Sequence, residues 1–526
     1  MKKALLLFCI FTSISCFAQF SKTHYIPPLT GQTNFVEDQY IYISTPNIIN
    51  VNFKIIENGG GIITGVVNKN MPYIHSIGQG DNTQLFTPKT SIGKINNKGY
   101  IIEAEDLIYV SVRVNSSKNQ NGSYNHAGGL VSKGNSALGK EFRLGAMLNP
   151  LSDSTLLNFA SILSTENGTK ITLSNIPIGT TFSDGTNFTG PITITLNKNE
   201  SYVLALENID QNSPSNSSKM IGALIESDKP VVVNSGSFCG SNSTIVNVQG
   251  NPTGRDVGFD QIVSFEKTGK EYIFVKGIGT DELERILLIA NVDNTQVFIN
   301  GTTLFATINK GEYADIDGSQ FTDGNLYVTS SENVFVYQSI GGSSGSNPSA
   351  NQNLFFVPPL NCATPNSVDN IPQIESIGNT TFSGGLNIVT ETGASVTING
   401  NPTTATAVPI AGNPNFVRYT IDNLSGNISV KSEKQVYVSY FGTNGAATYG
   451  GYYSGFDLKP EIVTDKLLLT SSSCIPNVVL KINTLTSYDS FQWYKNDTEI
   501  TGATNSEYTP TEPGYYQVRG SISGCL

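Results

Sequence analysis

Along most of this chain, apolar residues alternate with polar ones or run in short β-branched blocks. Gly, Asn, Asp and Pro punctuate them. Gln39–Ser44, Tyr100–Val114, Pro191–Leu196, Ser201–Leu206 and Glu271–Val275 carry this pattern. Neighbouring side chains on a strand point to opposite faces, so such segments cover one or both faces of a sheet. The turn dipeptides Asn121-Gly122, Asn167-Gly168 and Asp317-Gly318 separate them. The best helical stretch, Asp281–Ala290, contains Ile286-Leu287-Leu288-Ile289, which reads better as a buried strand. The pattern predicts an all-β protein.

The pattern also repeats. An acidic or polar turn leads into a Val-rich strand that ends in small residues. It occurs at Glu105–Ser111, Asp228–Ser235, Glu332–Ser339 and Glu433–Ser439. The spacing is roughly 100–120 residues, one small domain each. Val297–Ile299 and Val396–Ile398 both run into Asn-Gly, a strong hairpin signal because both turn residues accept positive φ. Gly139-Lys140-Glu141-Phe142 and Gly269-Lys270-Glu271-Tyr272 open successive copies alike. The predicted divisions are a leader at 1–18, β repeats at 19–138, 139–268, 269–365 and 366–462, and a different domain at 463–526. Repeats of this size predict tandem β-sandwich-like units. A propeller is the rival architecture, but a blade usually takes about half this period.

Lys2, Lys3 and the apolar run Ala4–Ile14 read as a secretory signal, with cleavage after Ala18. Lipid attachment at Cys16 is the alternative. The run is too short to span a bilayer. The chain is thus expected to be secreted or held at the cell surface. A formal net charge of −11 argues against nucleic acid or an anionic membrane as partner. Outside the leader stand Cys239, Cys362, Cys474 and Cys525. An even number in an exported chain points to disulfides. Cys474–Cys525 is the favoured pair and Cys239–Cys362 the second.

The last segment differs. Phe491–Asn496 holds the single tryptophan, Trp493, and Glu512–Val518 follows. This resembles an immunoglobulin-like domain, with Trp493 in the core and Tyr516 as the corner tyrosine. Val518 and Leu480 stand where that fold often has its central cysteines. No closing strand follows Arg519–Leu526. The domain is therefore expected to be incomplete and the chain a piece of a longer protein.

Candidate chemistry is sparse. His24, His75 and His126 are the only histidines, and no Gly-x-Ser-x-Gly elbow supports them as catalytic residues. Packing is the reading for His24. Asp315-Ile316-Asp317-Gly318 with Asp323 hints at calcium, but Gln320 breaks the EF-hand spacing. Gly59-Gly60-Gly61 reads as a hairpin turn. Tyr449–Tyr453 reads either as an exposed aromatic surface or as sheet packing. Asp153-Ser154-Thr155 resembles the O-glycosylation signal of exported Bacteroidetes proteins. No catalytic, cofactor-binding or metal residue is assigned, and no enzyme activity is expected.

Several segments together resemble the IgGFc-binding protein N-terminal domain family. They are the strand Ala223–Ser237 running into Phe238-Cys239, the link Gly254–Gln261, and the opening Gly269–Ile273. Gly139–Phe142 with Met147 and Asn149 fits a second family opening. Where the family often has another cysteine, this chain has Arg255, so the partner of Cys239 stays open. With the leader and the immunoglobulin-like domain, the chain resembles Bacteroidetes surface proteins exported by type IX secretion. The resemblance implies a non-enzymatic adhesion or binding protein with a protein or glycan ligand. A secreted carbohydrate-binding module or carbohydrate-active enzyme, and a structural spacer, are the alternatives.

Overall fold

Each repeat is built around one long strand. The computed structural model describes residues 19–456 apart from 33–34, 154, 208–216, 249, 251 and 344–346; beyond them it describes 461–464, 478–483 and 488–521. The leader, Cys16, Ser154, Cys474 and Cys525 lie outside the described residues. In repeat 1 the strands are Ser21–Ile26, Val36–Ser44, Val51–Glu57, Ile62–Val67, Tyr73–Gly78, Tyr100–Lys118 and Tyr124–Val131. The first half of long strand Tyr100–Lys118 lies between the first and third strands. Its second half lies between the second and last strands. The same plan recurs around Leu224–Gly240 in repeat 2 and Asn325–Ser343 in repeat 3. In repeat 4 the long strand is broken into Ile428–Ser432 and Val436–Asn444. Among the described residues, helical turns are short 3-10 segments such as Lys89–Ser91. The all-β expectation holds.

The recurring acidic motif does something other than turn the chain. In repeats 1 to 3 it lies inside the long strand, at a jump in register against the first strand of the repeat. Extra residues on one strand bend it and raise its twist. The bend carries the long strand from one set of partners to the other. Only in repeat 4 does the motif separate two strands. The Asn-Gly expectation holds at both places. Asn300 and Gly301 have φ of 50° and 79°, as do Asn399 and Gly400. Gly59–Gly61 joins Val51–Glu57 to Ile62–Val67 as a hairpin.

The sheets pack face to face, and the interfaces lie between neighbouring repeats. In repeat 2, Leu157 and Phe159 face a core shared with Ile41, Phe53 and Val112 of repeat 1. Ala160 and Ile162, on the other face of the same strand, join Leu288, Val328 and Val336 of repeat 3. Ile273, Val275 and Tyr327 of repeat 3 meet Val389 and Tyr437 of repeat 4. Ile388, Val438 and Tyr440 of repeat 4 then meet Leu107 and Tyr109 of repeat 1. The chain of interfaces closes on itself. This explains why Leu157–Ser164 is buried at every position: both faces are covered, so apolar residues need not alternate with polar ones.

The sandwich-like expectation holds in this face-to-face packing, and the interfaces close the four repeats into a ring, as propeller blades do. The usual blade period is exceeded because each repeat holds two sets of strands sharing one bent strand. At the axis stand Tyr124–Val131, Asp256–Ile262, Asn347–Phe356 and Ala447–Tyr452, one from each repeat. Ala127 lies level with Asp256 and Thr448. Gly129 lies level with Asn353 and Gly450. Both levels rise together along the strands, so these axial strands run parallel. Their approach requires glycine. A Cβ on Gly258 would sit 2.8 Å from the Leu354 amide, and one on Gly128 2.7 Å from the Val257 carbonyl.

Candidate functional site

The axis is where buried polar chemistry concentrates. Asp256, Gly258 and Asp260 occupy alternate positions of one strand, so their side chains share a face. Asp256 accepts hydrogen bonds from the amides of Ala127 (3.0 Å) and Val257 (2.8 Å), and from the Thr448 hydroxyl. Asp260 accepts from the Lys133 ammonium at 2.8 Å and from the amides of Gln261 (2.8 Å) and Phe356 (2.9 Å). Asn353 donates to the carbonyls of Gly129 and Gly450, each at 2.7 Å, and accepts from Phe259 N at 3.2 Å. Gln261 accepts from Lys133 N and donates to Tyr25 O, both at 2.7 Å. Lys133 also lies over the Phe456 ring, 4.9 Å from its centre. Desolvation pushes both aspartate carboxyls above the usual range and the Lys133 ammonium below it.

A second buried charge closes the ring between repeats 1 and 4. Arg113 donates to the carbonyls of Pro372, Gln373 and Ser376 at 2.6–2.8 Å. Its guanidinium lies 4.1 Å from the centre of the Tyr42 ring and 5.1 and 5.2 Å from those of Tyr440 and Tyr449. Both arrangements are committed to protein partners.

The singled-out residues are likewise placed. His24 donates from Nε2 to Ile108 O at 2.9 Å, and burial holds its imidazole down to about 4. It is a neutral packing residue. His126 is held down to about 4 by burial, then by the Arg255 charge. His75 packs edge-on to Tyr100. The structure does not bring the three histidines together around a nucleophile. Asp315 pairs with Arg285 at 3.0 Å, and Asp317 caps a 3-10 turn through Ser319 N. Among the described residues, no group of three or more Asp, Glu, His or Cys side chains gathers as a metal site. Tyr449, Tyr452 and Tyr453 are buried, so sheet packing is their role. Cys239 is a free, buried thiol, pushed up to about 12 by burial. The expected Cys239–Cys362 pair is thereby overturned: Cys239 packs in the core between repeats 1 and 2. Arg255, in the place of the second family cysteine, lies 3.6 Å from Asp153.

Past the ring, Glu461–Thr464, Leu480–Asn483 and Glu507–Tyr508 form one sheet. Thr498–Glu499, Ser490–Lys495 and Tyr516–Ser521 form another. Trp493 is fully buried and donates from Nε1 to Asn505 O at 2.8 Å. It stands opposite Val518. The Tyr516 hydroxyl donates to Glu512 O at 2.7 Å.

The exposed features lie on loops. The connections into the axial strands gather at one end of the ring, because those strands run parallel. The connection in repeat 2 is the long one, Ser241–Arg255, against Asn119–Ser123 in repeat 1 and Gly445-Ala446 in repeat 4. Its first limb exposes Ile245, Val246 and Val248, the last at 97%. Glu282 of repeat 3 clamps it by accepting from Ser243 Oγ (2.6 Å) and Thr244 Oγ1 (2.9 Å). Nearby in the fold, repeats 1 and 4 enclose a cleft of about 240 Å³ lined by Gly122, Ser123, Tyr124, Asn379, Thr380, Phe382, Asn444 and Ala447. No motif marked Ser243–Val248 in the sequence; the length of this connection against those of repeats 1 and 4 is the signal that finds it.

Residues 128–442 match the family model described as IgGFc binding protein. The match runs from the axial strand of repeat 1 into the long strand of repeat 4. No curated protein matches the chain. Among solved structures, an anti-sigma factor domain-containing protein from Clostridium clariflavum shares 12% identity over 78% of this chain and 98% of its own, with a TM-score of 0.11. A trypsin-activated alpha-2-macroglobulin from Escherichia coli shares 9% over 96% of this chain and 46% of its own, with a TM-score of 0.12. Scores this low establish no common fold.

Proposed function

Because this chain belongs to the IgGFc binding protein family, we propose that it is an exported, non-enzymatic surface protein that binds a protein or glycan ligand through loops held by the ring. One observation carries the reading: the repeat 2 connection exposes Ile245, Val246 and Val248 while hydrogen bonds to Glu282 of the neighbouring repeat hold it in place. A loop ordered before binding loses less entropy on binding, and exposed aliphatic clusters mark contact surfaces. The leader-like start of the chain supports export. The buried Trp493 and the Tyr516–Glu512 hydrogen bond support an immunoglobulin-like module after the ring.

A glycan is favoured over a protein ligand at one place. The cleft between repeats 1 and 4 combines neutral amides and hydroxyls with the ring of Tyr124, the mixture that hydrogen-bonds sugar hydroxyls and stacks on sugar rings. Binding of the chain to immobilised mucin, immunoglobulin Fc and a glycan array tests the reading. Retention on at least one surface is expected, weakened by Val246→Ser with Val248→Ser or by Tyr124→Ala. Retention on none would contradict it.

A further inference from the structure

The four repeats follow one plan, so local departures from it stand out. The connection between the second and third strands is Thr165–Gly168 in repeat 2, Asn291–Asn294 in repeat 3 and Thr392–Ser395 in repeat 4. In repeat 1 it is Thr45–Asn50, two residues longer. The added length carries Ile48 and Ile49, exposed at 80% and 82%. A turn needs no such residues, and the fold gains nothing from leaving them in water.

The loop is held rather than loose. Asn47 Nδ2 donates to Asp106 at 2.9 Å, and Lys69 N to Asn47 O at 2.6 Å. Asn68 Nδ2 donates to Asn50 Oδ1 at 2.8 Å, and Asn370 of repeat 4 donates to Thr45 O at 3.0 Å. The turn that begins at Asn68 ends at Met71, which is itself exposed. Loop residues Pro46–Val51, with Glu105 and Asp106, line an open cleft of about 610 Å³, within the size range of ligand sites. Glu105 accepts from Asn52, and Asp106 from Asn47 and Leu107 N. Both carboxylates keep acceptor capacity for a cation. Lys69 lies within electrostatic reach of Asp369, and the charged residues that line the cleft itself are Glu105 and Asp106.

We propose that Ile48 and Ile49, rimmed by Glu105 and Asp106, dock a segment of a partner protein that presents an aliphatic side chain beside a lysine or arginine. Apolar contact supplies the affinity, and the acidic rim selects the basic residue. The net charge of −11 steers a basic segment toward the chain from a distance. This rests on the binding reading above and names the surface and the chemistry of its partner.

The test is selection of phage-displayed random peptides on the full chain. The enriched pool should pair Lys or Arg with Leu, Ile, Val, Met or Phe. Capture should fall about tenfold or more on Ile48→Ser with Ile49→Ser, several-fold on Glu105→Lys, and further with added salt. Both isoleucines are exposed, so the double variant should melt with the parent. No enrichment, an enriched pool without basic residues, or equal capture by the melted-alike double variant would each overturn the proposal. If the double variant still binds mucin, Fc or glycan as the parent does, the binding reading stands and this surface falls. If the parent binds nothing in either assay, both fall.

Discussion

Replacing Asp260 by Asn should destabilise the ring by about 3–5 kcal/mol, because it strands a buried charge where all four repeats meet. Lys133 lies 2.8 Å from Asp260, and the two side chains are 0% and 1% exposed. At an effective dielectric of about 20, that separation gives a gross attraction of about 6 kcal/mol. The net loss is smaller, since the lysine can shed its proton. Neutralising a lysine of ordinary pKa at pH 7 costs about 4.6 kcal/mol, which caps the penalty. Asparagine keeps one oxygen, which can serve either the Gln261 amide, now on Oδ1 with Lys133, or the Phe356 amide, now on Oδ2, but not both. The converse change, Lys133→Met, leaves Asp260 with both amide donors and should cost less, about 2–3 kcal/mol. Urea unfolding of the two single variants and the double variant measures all three terms, with the double variant less damaged than the sum. Raising pH from 7 to 9 should narrow the Asp260→Asn deficit, because the unfolded chain then holds its lysine proton less firmly. A deficit under about 1 kcal/mol, or one that ignores pH, would refute the reasoning.

Gly258→Ala should cost about 1–3 kcal/mol through overpacking, since its Cβ would meet the Leu354 amide and the Met147 methyl; thermal melts check it. Glu284 accepts from the amides of Gly277 (3.2 Å) and Gly279 (3.1 Å), and burial raises its carboxyl to about 7. An unfolded glutamate titrates at about 4.3, so between these values the folded state holds the extra proton. Its contribution to stability is full below about 4.3 and is lost as pH rises through about 7; urea midpoints should therefore fall from pH 5 to 8 more in the parent than in Glu284→Gln. Cys239, buried and raised to about 12, should resist alkylation in the folded chain and react after denaturation. Peptide mass spectrometry reads that directly.

The strands were legible because their alternation is local. So were the Asn-Gly hairpins, whose backbone needs are met by two adjacent residues. The repeats were legible from spacing. Two other matters were not. Whether Glu105–Ser111 begins a strand or bends one depends on partners far along the chain, and Ser21–Ile26 and Val51–Glu57 decide it. Ring closure depends on contacts such as Asn353 with Gly129 and Gly450, which no short window contains. Asp256 and Asp260 were in plain view within the link Gly254–Gln261. Two aspartates at alternate positions of one strand, with Gln261 beside them, signal a buried polar junction. The tyrosines at Tyr449–Tyr453 could not be assigned to surface or core without the neighbouring repeat that covers them.

Small-angle X-ray scattering of residues 19–456 tests ring closure most directly. A compact body of about 440 residues has a radius of gyration of about 22 Å. Four sandwich blocks strung end to end, each about 13 Å in radius of gyration, would give about 40 Å. A value within a few ångströms of the first is what closure of repeat 1 on repeat 4 requires; a value near the second would mean that the blocks stand in line and that the axial contacts do not exist in solution.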